Sequence, residues 1–212
     1  MDPTIVIEQI RHGFARTTRP PDPFLVGSRE GCEPREVVGA FFGKQTWDGL
    51  EPEMLDGNYD ALSFFSEAGF RFFLPAFLIA DVQGQLKTAD PVHHLASTFH
   101  AVVIDVPAGG QTFRRRAGPA VLLNPQRHGA ITFGDYARFR LSAFNREEAQ
   151  AIVVYLQYRR SIDADHLFTA DIDAALDGFW LQRAAGAPSA AELERHLQEE
   201  RAFFDALVNR ER

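Results

Sequence analysis

The densest basic run in this chain is Arg114-Arg115-Arg116, and Arg127, Arg138 and Arg140 follow it against one acid, Asp135, between Pro107 and Leu141. A guanidinium presents a rigid fork of donors that matches carboxylate and phosphate oxygens. Arg114, Arg115, Arg116 and Arg127 are therefore the candidate binding surface for an acidic protein or an anionic ligand. The stretch from Asp163 to Asp205 has the opposite sign and includes Asp171, Asp173, Asp177, Glu192, Glu199 and Glu200. The plainer alternative is that the two segments pair with each other or stand solvated, because exposed ion pairs contribute little.

His93, His94 and His100 form the densest histidine group, and together with Asp90 or Asp105 they are weak candidates for metal ligands. On a helix, His93 and His94 point about 100° apart and share one ion poorly. The spacing of zinc hydrolases, the loop of a calcium-binding hand, the phosphate-binding loop, the dinucleotide fingerprint and the nucleophile elbow do not occur. The sequence implies no cofactor. Cys32 is the sole cysteine, so no intramolecular disulfide forms, and its surroundings suit an inert thiol. Arg71 lies inside an apolar stretch and needs an anionic partner, for which Glu67, one turn earlier, is the default.

The elements that must position these residues are mostly helical. Ala61 to Val82 is apolar on nearly every face and predicts a buried central helix. Ser66 is its N-cap, Phe70, Phe73 and Phe77 point inward, and a kink or break is expected near Leu74 because Pro75 cannot donate to Arg71. Further helices are predicted over Thr4–Phe14, from Pro34 to Phe42, after Asp90-Pro91, after the capping box Asn145-Arg-Glu-Glu148, after Thr169, and after a second box Ser189-Ala-Ala-Glu192. Between about residues 100 and 135 the pattern turns β-branched. Ala101–Val106, Gln111-Thr-Phe113, Ala120–Leu123 and Ala130–Phe133 are candidate strands around a Gly109-Gly110 turn. The fold class is thus mostly α, one domain over 1–212 around a proline-kinked helix, with a small arginine-rich strand-containing insert at 100–135.

The central run Ala-Leu-Ser-Phe-Phe-Ser-Glu-Ala-Gly-Phe-Arg-Phe-Phe-Leu-Pro-Ala-Phe-Leu, from Ala61 to Leu78, resembles the signature of a bacterial family known only as a domain of unknown function. Trp47 with Leu50 upstream, and the stretch from Arg140 to Leu156 downstream, extend the likeness. The chain departs from it in Phe72-Phe73, where tyrosines are usual, and between about Thr98 and Tyr136. The resemblance implies no activity and no functional residues.

The formal net charge of −7 disfavours a protein dedicated to non-specific nucleic-acid binding. The longest apolar run is too short to span a bilayer, and the N-terminus has no secretory pattern, so a cytoplasmic location without a membrane partner is expected. With catalytic motifs absent, the leading expectation is a non-catalytic bacterial binding or regulatory protein, in the manner of an immunity protein. The alternative is a small enzyme or ligand-binding protein with a His- and Arg-lined pocket.

Overall fold

A computed structural model describes residues 1–28, 31–99, 103–116, 131–186 and 190–210. Helix α1 (Pro3–Phe14) starts where the Asp2 carboxylate accepts the Thr4 N–H at 2.8 Å, with proline in the first helical position. Its apolar spacing buries Val6, Ile10 and Phe14. A proline-rich loop leads to α2 (Glu33–Gly39), α3 (Pro52–Gly57) and the short α4 (Ala61–Phe64).

The chain then extends through Phe65, which bridges Val26, and re-enters a helix at Ser66. The Ser66 hydroxyl accepts the Gly69 N–H at 3.0 Å and donates to the Phe24 carbonyl at 2.5 Å, so one residue caps α5 (Glu67–Val82) and anchors the loop. Helix α5 runs through Pro75 as one element. The break expected at the proline falls instead at Phe65–Ser66, where a cap competes successfully with helix continuation. Phe70, Phe73, Leu74, Phe77 and Leu78 are fully buried. Phe41, Phe65, Phe73 and Phe77 form a ring cluster with centroids 4.9 Å, 5.0 Å and 5.2 Å apart along its close edges, the spacing at which aromatic pairs attract.

After α5, Asp56 draws the chain back by accepting the N–H groups of Lys87, Thr88 and Ala89 at 3.0, 2.7 and 2.9 Å. Helix α6 (Pro91–Ala96) begins where Asp90 accepts the His93 N–H at 3.1 Å. Strands β1 (Val103–Ala108) and β2 (Gln111–Arg116) form an antiparallel hairpin whose turn, Gly109-Gly110, has φ of 59° and 79° at its two positions. Consecutive positive φ is the requirement of the tight turn that matches strand twist, and it explains the glycine pair. The expected strand at Ala120–Leu123 lies outside the described residues. Of the one expected at Ala130–Phe133, Ala130 lies outside the described residues and Phe133 opens α7 (Phe133–Leu141): Thr132 and Asp135 make a reciprocal capping box, and that local pairing outweighs the β-propensity of Ile-Thr-Phe.

Helix α8 (Arg146–Ile162) opens on the Asn145/Glu148 box and packs along α1 so closely that a Cβ added to Gly13 would stand 2.7 Å from the Glu147 carbonyl oxygen. Helix α9 (Thr169–Ala175), a π turn over Leu176–Trp180, and α10 (Leu181–Ala185) follow, and Trp180 is fully buried with its Nε1–H on the Leu95 carbonyl at 3.0 Å. Helix α11 (Ala190–Arg210) lies against α5. Its Ser189 cap is outside the described residues. Among the described residues no helix is long and apolar enough to cross a membrane.

Candidate functional site

Arg71 projects from a helix whose flanks are otherwise apolar, and its partner is not Glu67. Its Nε donates to both oxygens of Glu148, at 2.8 and 3.0 Å, and the Glu148 side chain is fully buried. The Thr17 hydroxyl and the Asn145 N–H complete that carboxylate's shell. The i,i+4 expectation fails because Glu148 arrives from α8 already ordered by its own capping box, so it offers Arg71 a carboxylate at no further entropic cost. The terminal nitrogens of Arg71 make no hydrogen bond among the described residues.

Glu67 sits in the first turn of α5 and meets α11 instead. Its N–H donates to Glu200 Oε1 at 2.7 Å, and the two carboxyls also hydrogen-bond to each other. Glu67 is 3% exposed and Glu200 8%. Two carboxyls this close and this dry repel when charged, which disfavours ionisation of Glu200. Burial, then the neighbouring Glu67, pushes Glu200 up to about 9. His196, one turn before Glu200, is buried with its ring centroid 4.2 Å from that of Phe139, and its Nε2 has no hydrogen-bond partner among the described residues. Burial lowers His196, against the pull of Glu67.

Two cavities meet at Glu200. One, of about 320 Å³, lies between α7 and α11 and is lined by Glu67, Asp135, Phe139, Glu199, Glu200 and Phe203. The other, of about 470 Å³, lies between the proline-rich loop and α11 and is lined by Arg19, Arg71, Arg201, Phe24, Leu197 and Glu200, with Thr18, Pro20, Pro21 and Ala68. Arg19 is spent on structure, since it donates to the Lys44 and Pro20 carbonyls and pairs with Asp22. Arg201 lies 6.0 Å over the Phe24 ring. Arg71 and Arg201 therefore retain donors that can face a bound anion, and the walls between them are apolar.

The residues singled out from the sequence are dispersed. Arg114, Arg115 and Arg116 occupy β2, in register with Asp105, Ile104 and Val103, and Arg127 is outside the described residues. Arg138 lies over Phe99, and Arg140 lies 4.2 Å over Phe70 while donating to the Leu62 carbonyl, so these two arginines pack the core edge. Two acids of the 163–177 segment, Asp163 and Asp173, serve locally. Asp163 accepts the N–H groups of Leu167 and Phe168, and Asp173 pairs with Arg160. His93 is exposed and His94 half-buried, their rings perpendicular at 5.5 Å, and His100 is outside the described residues. Burial, then the charges of Arg140 and His93, pushes His94 down to about 3. No group of three His, Cys, Asp or Glu side chains placed for a metal occurs among the described residues. Cys32 is exposed.

Sequence reasoning missed Glu200, His196 and Arg201. The signal was present: His196, Leu197 and Glu200 fall at the three- and four-residue spacing that continues the apolar stripe of α11, so Glu200 had to face inward.

Fold and site together define a mostly helical protein, built on a phenylalanine-rich buried helix, with an arginine-lined cavity and a buried carboxyl pair at that helix's N-terminal end. The chain belongs to the family of unknown function DUF6714, whose model matches residues 5–184. That span takes in Glu67, Arg71 and Glu148 and ends before α11. No curated protein and no solved structure matches the chain.

Proposed function

We propose that this is a non-catalytic bacterial protein of the cytoplasm that binds a small anion carried on an apolar body, in the cavity between Arg71 and Arg201. The observation that carries the reading is Arg71 itself. Its stem is fixed by a fully buried carboxylate, its terminal donors make no hydrogen bond among the described residues, and it lines an apolar cavity of about 470 Å³. That is the size and character of a small-molecule site, with few polar groups converging on one point. Carboxylate or phosphate oxygens suit the guanidinium fork. Glu200, whose ionisation is disfavoured, adds little opposing charge.

Calorimetric titration with naphthalene-2-carboxylate and with phenyl phosphate tests the reading. Saturable binding that Arg201→Glu abolishes supports it; Arg201 is exposed and in no ion pair among the described residues, so the variant folds. The absence of saturable binding by either probe overturns it.

A second reading assigns an acidic macromolecule to the β1–β2 hairpin. It is favoured by the exposure of residues 107–113, including Phe113 at 53%. Charge reversal at Arg114, Arg115 and Arg116 that leaves capture of an acidic partner unchanged removes it.

A further inference from the structure

Among the described residues Thr17 stands outside the wall of the Arg71–Arg201 cavity, yet two routes lead from it to that wall. Along the chain it is followed by Thr18, Arg19, Pro20 and Pro21, which line the cavity. Through space its hydroxyl donates to Glu148 Oε1, the oxygen that also accepts Arg71 Nε at 3.0 Å. We infer, resting on the binding reading above, that Thr17 is a positioning residue of the anion site. By fixing the Glu148 carboxylate it aims the Arg71 fork, and so sets the affinity for an oxyanion whose cavity it does not line.

The chemistry lies in how three donors share two oxygens. Glu148 is fully buried, so the rotation of its carboxyl is decided by protein hydrogen bonds. The Asn145 N–H holds Oε2 at 2.9 Å, and the Thr17 hydroxyl holds Oε1. With both ends of the carboxylate held, Arg71 Nε sits across the two oxygens, 3.0 Å from Oε1 and 2.8 Å from Oε2. That commits the Nε edge of the guanidinium to the protein. The terminal nitrogens, which make no hydrogen bond among the described residues, are left for the cavity that Arg71 lines. A planar group pinned along one edge has little freedom to lose, so a two-oxygen anion meets a fork that is already ordered.

Thr17 is itself held before any ligand arrives. Its N–H donates to the Phe14 carbonyl at 3.1 Å, just past the last turn of α1, and α1 packs along α8. The hydroxyl is therefore presented from fixed backbone to an acid fixed by its own capping box. Without that hydroxyl the carboxyl is held at Oε2 alone, is free to turn about that contact, and Arg71 follows it. A hydroxyl that merely satisfied a buried acid would cost stability and leave Arg71 in place, whereas a positioning hydroxyl moves the guanidinium as well.

The test compares the full chain with Thr17→Val, which removes the hydroxyl, and with Thr17→Ser, which keeps it. In Thr17→Val the Glu148 carboxylate retains Arg71 and Asn145, so the variant folds. Calorimetric titration with naphthalene-2-carboxylate gives the affinity. The proton NMR signal of Arg71 Nε–H, assigned by its absence from Arg71→Lys, reports the guanidinium in the free protein. Thr17→Val should bind about three- to tenfold more weakly, the effect of one hydrogen bond lost from the supporting shell. Its Arg71 Nε–H signal should shift and exchange faster with water, and Thr17→Ser should recover most of the affinity and of the signal. Thr17→Val binding as the parent does overturns the inference. So does a loss of affinity with the Arg71 signal unmoved, or with no recovery in Thr17→Ser, and in each of these cases the binding site stands. No saturable binding by the parent overturns the binding reading instead, whatever the Arg71 signal does.

Discussion

Glu148→Gln is the substitution that most exposes how the site is built. The parent carboxylate is fully buried and accepts on both oxygens, from Arg71 Nε and the Thr17 hydroxyl on Oε1 and from Arg71 Nε and the Asn145 N–H on Oε2. An amide can accept on one side only, so in either orientation its NH₂ faces a donor. The better orientation turns the NH₂ toward Thr17, whose hydroxyl can rotate to accept, and keeps the capping contact to Asn145. Removing one partner of a buried ion pair costs roughly 3–5 kcal/mol. Arg71 is 15% exposed and borders a cavity, so it can recover hydration and the cost falls to about 2–3 kcal/mol. For a chain of this length that is roughly a 5–10 °C fall in Tm. Thermal and urea unfolding followed by circular dichroism measure it, and a double-mutant cycle with Arg71→Gln isolates the pair, with a coupling of at least about 1 kcal/mol expected. A Glu148→Gln protein within about 0.5 kcal/mol of the parent, with additive effects in the cycle, would refute the claim that Glu148 fixes Arg71.

Other consequences follow from the same packing and charge. Gly13→Ala drives a Cβ into the Glu147 carbonyl at 2.7 Å and the Ala151 side chain at 2.8 Å, so α1 and α8 must separate, and unfolding should show a loss of roughly 1–3 kcal/mol. Glu200 is raised from 4.5 to about 9, so its contribution is complete below 4.5 and is lost as pH rises toward 9. Hydrogen exchange of α11, corrected for intrinsic rates, should therefore quicken from about pH 6 to about pH 9 in the parent and much less in Glu200→Gln. His94 is depressed from 6.5 to about 3, so its contribution is complete above 6.5 and is lost as pH falls toward 3. His94→Gln should flatten the acid limb of stability measured over that window.

Much of the helical framework was legible because capping is local chemistry. Ser66, Asp90 and Asn145 cap as their side chains dictate, and the apolar spacing of Val6, Ile10 and Phe14 or of Ile152 and Leu156 identifies the buried faces. The hairpin turn was legible from Gly109-Gly110. The strand expected at Ala130–Phe133 was misread because Ile131, Thr132 and Phe133 favour β structure, whereas Thr132 also opens a Thr-x-x-Asp box, and the box decides. The site was the least legible part. Arg71 plainly needed a carboxylate, but spacing along one helix pointed to Glu67, whereas Glu148 comes from a segment 77 residues away. Glu200 was counted among surface acids, although its place on the α11 stripe put it inside. Its role depends on which helix α11 covers, and periodicity within one helix does not carry that information.

The central claim is that the free end of Arg71 and the Arg201 guanidinium converge on an anion beneath α11. A crystal structure of the chain soaked with naphthalene-2-carboxylate tests it most directly. The account predicts the carboxylate within hydrogen-bond distance of both guanidinium groups and the rings against Phe24 and Leu197. A carboxylate seated instead on Arg114 to Arg116 of the hairpin, with the cavity unaltered, would contradict it.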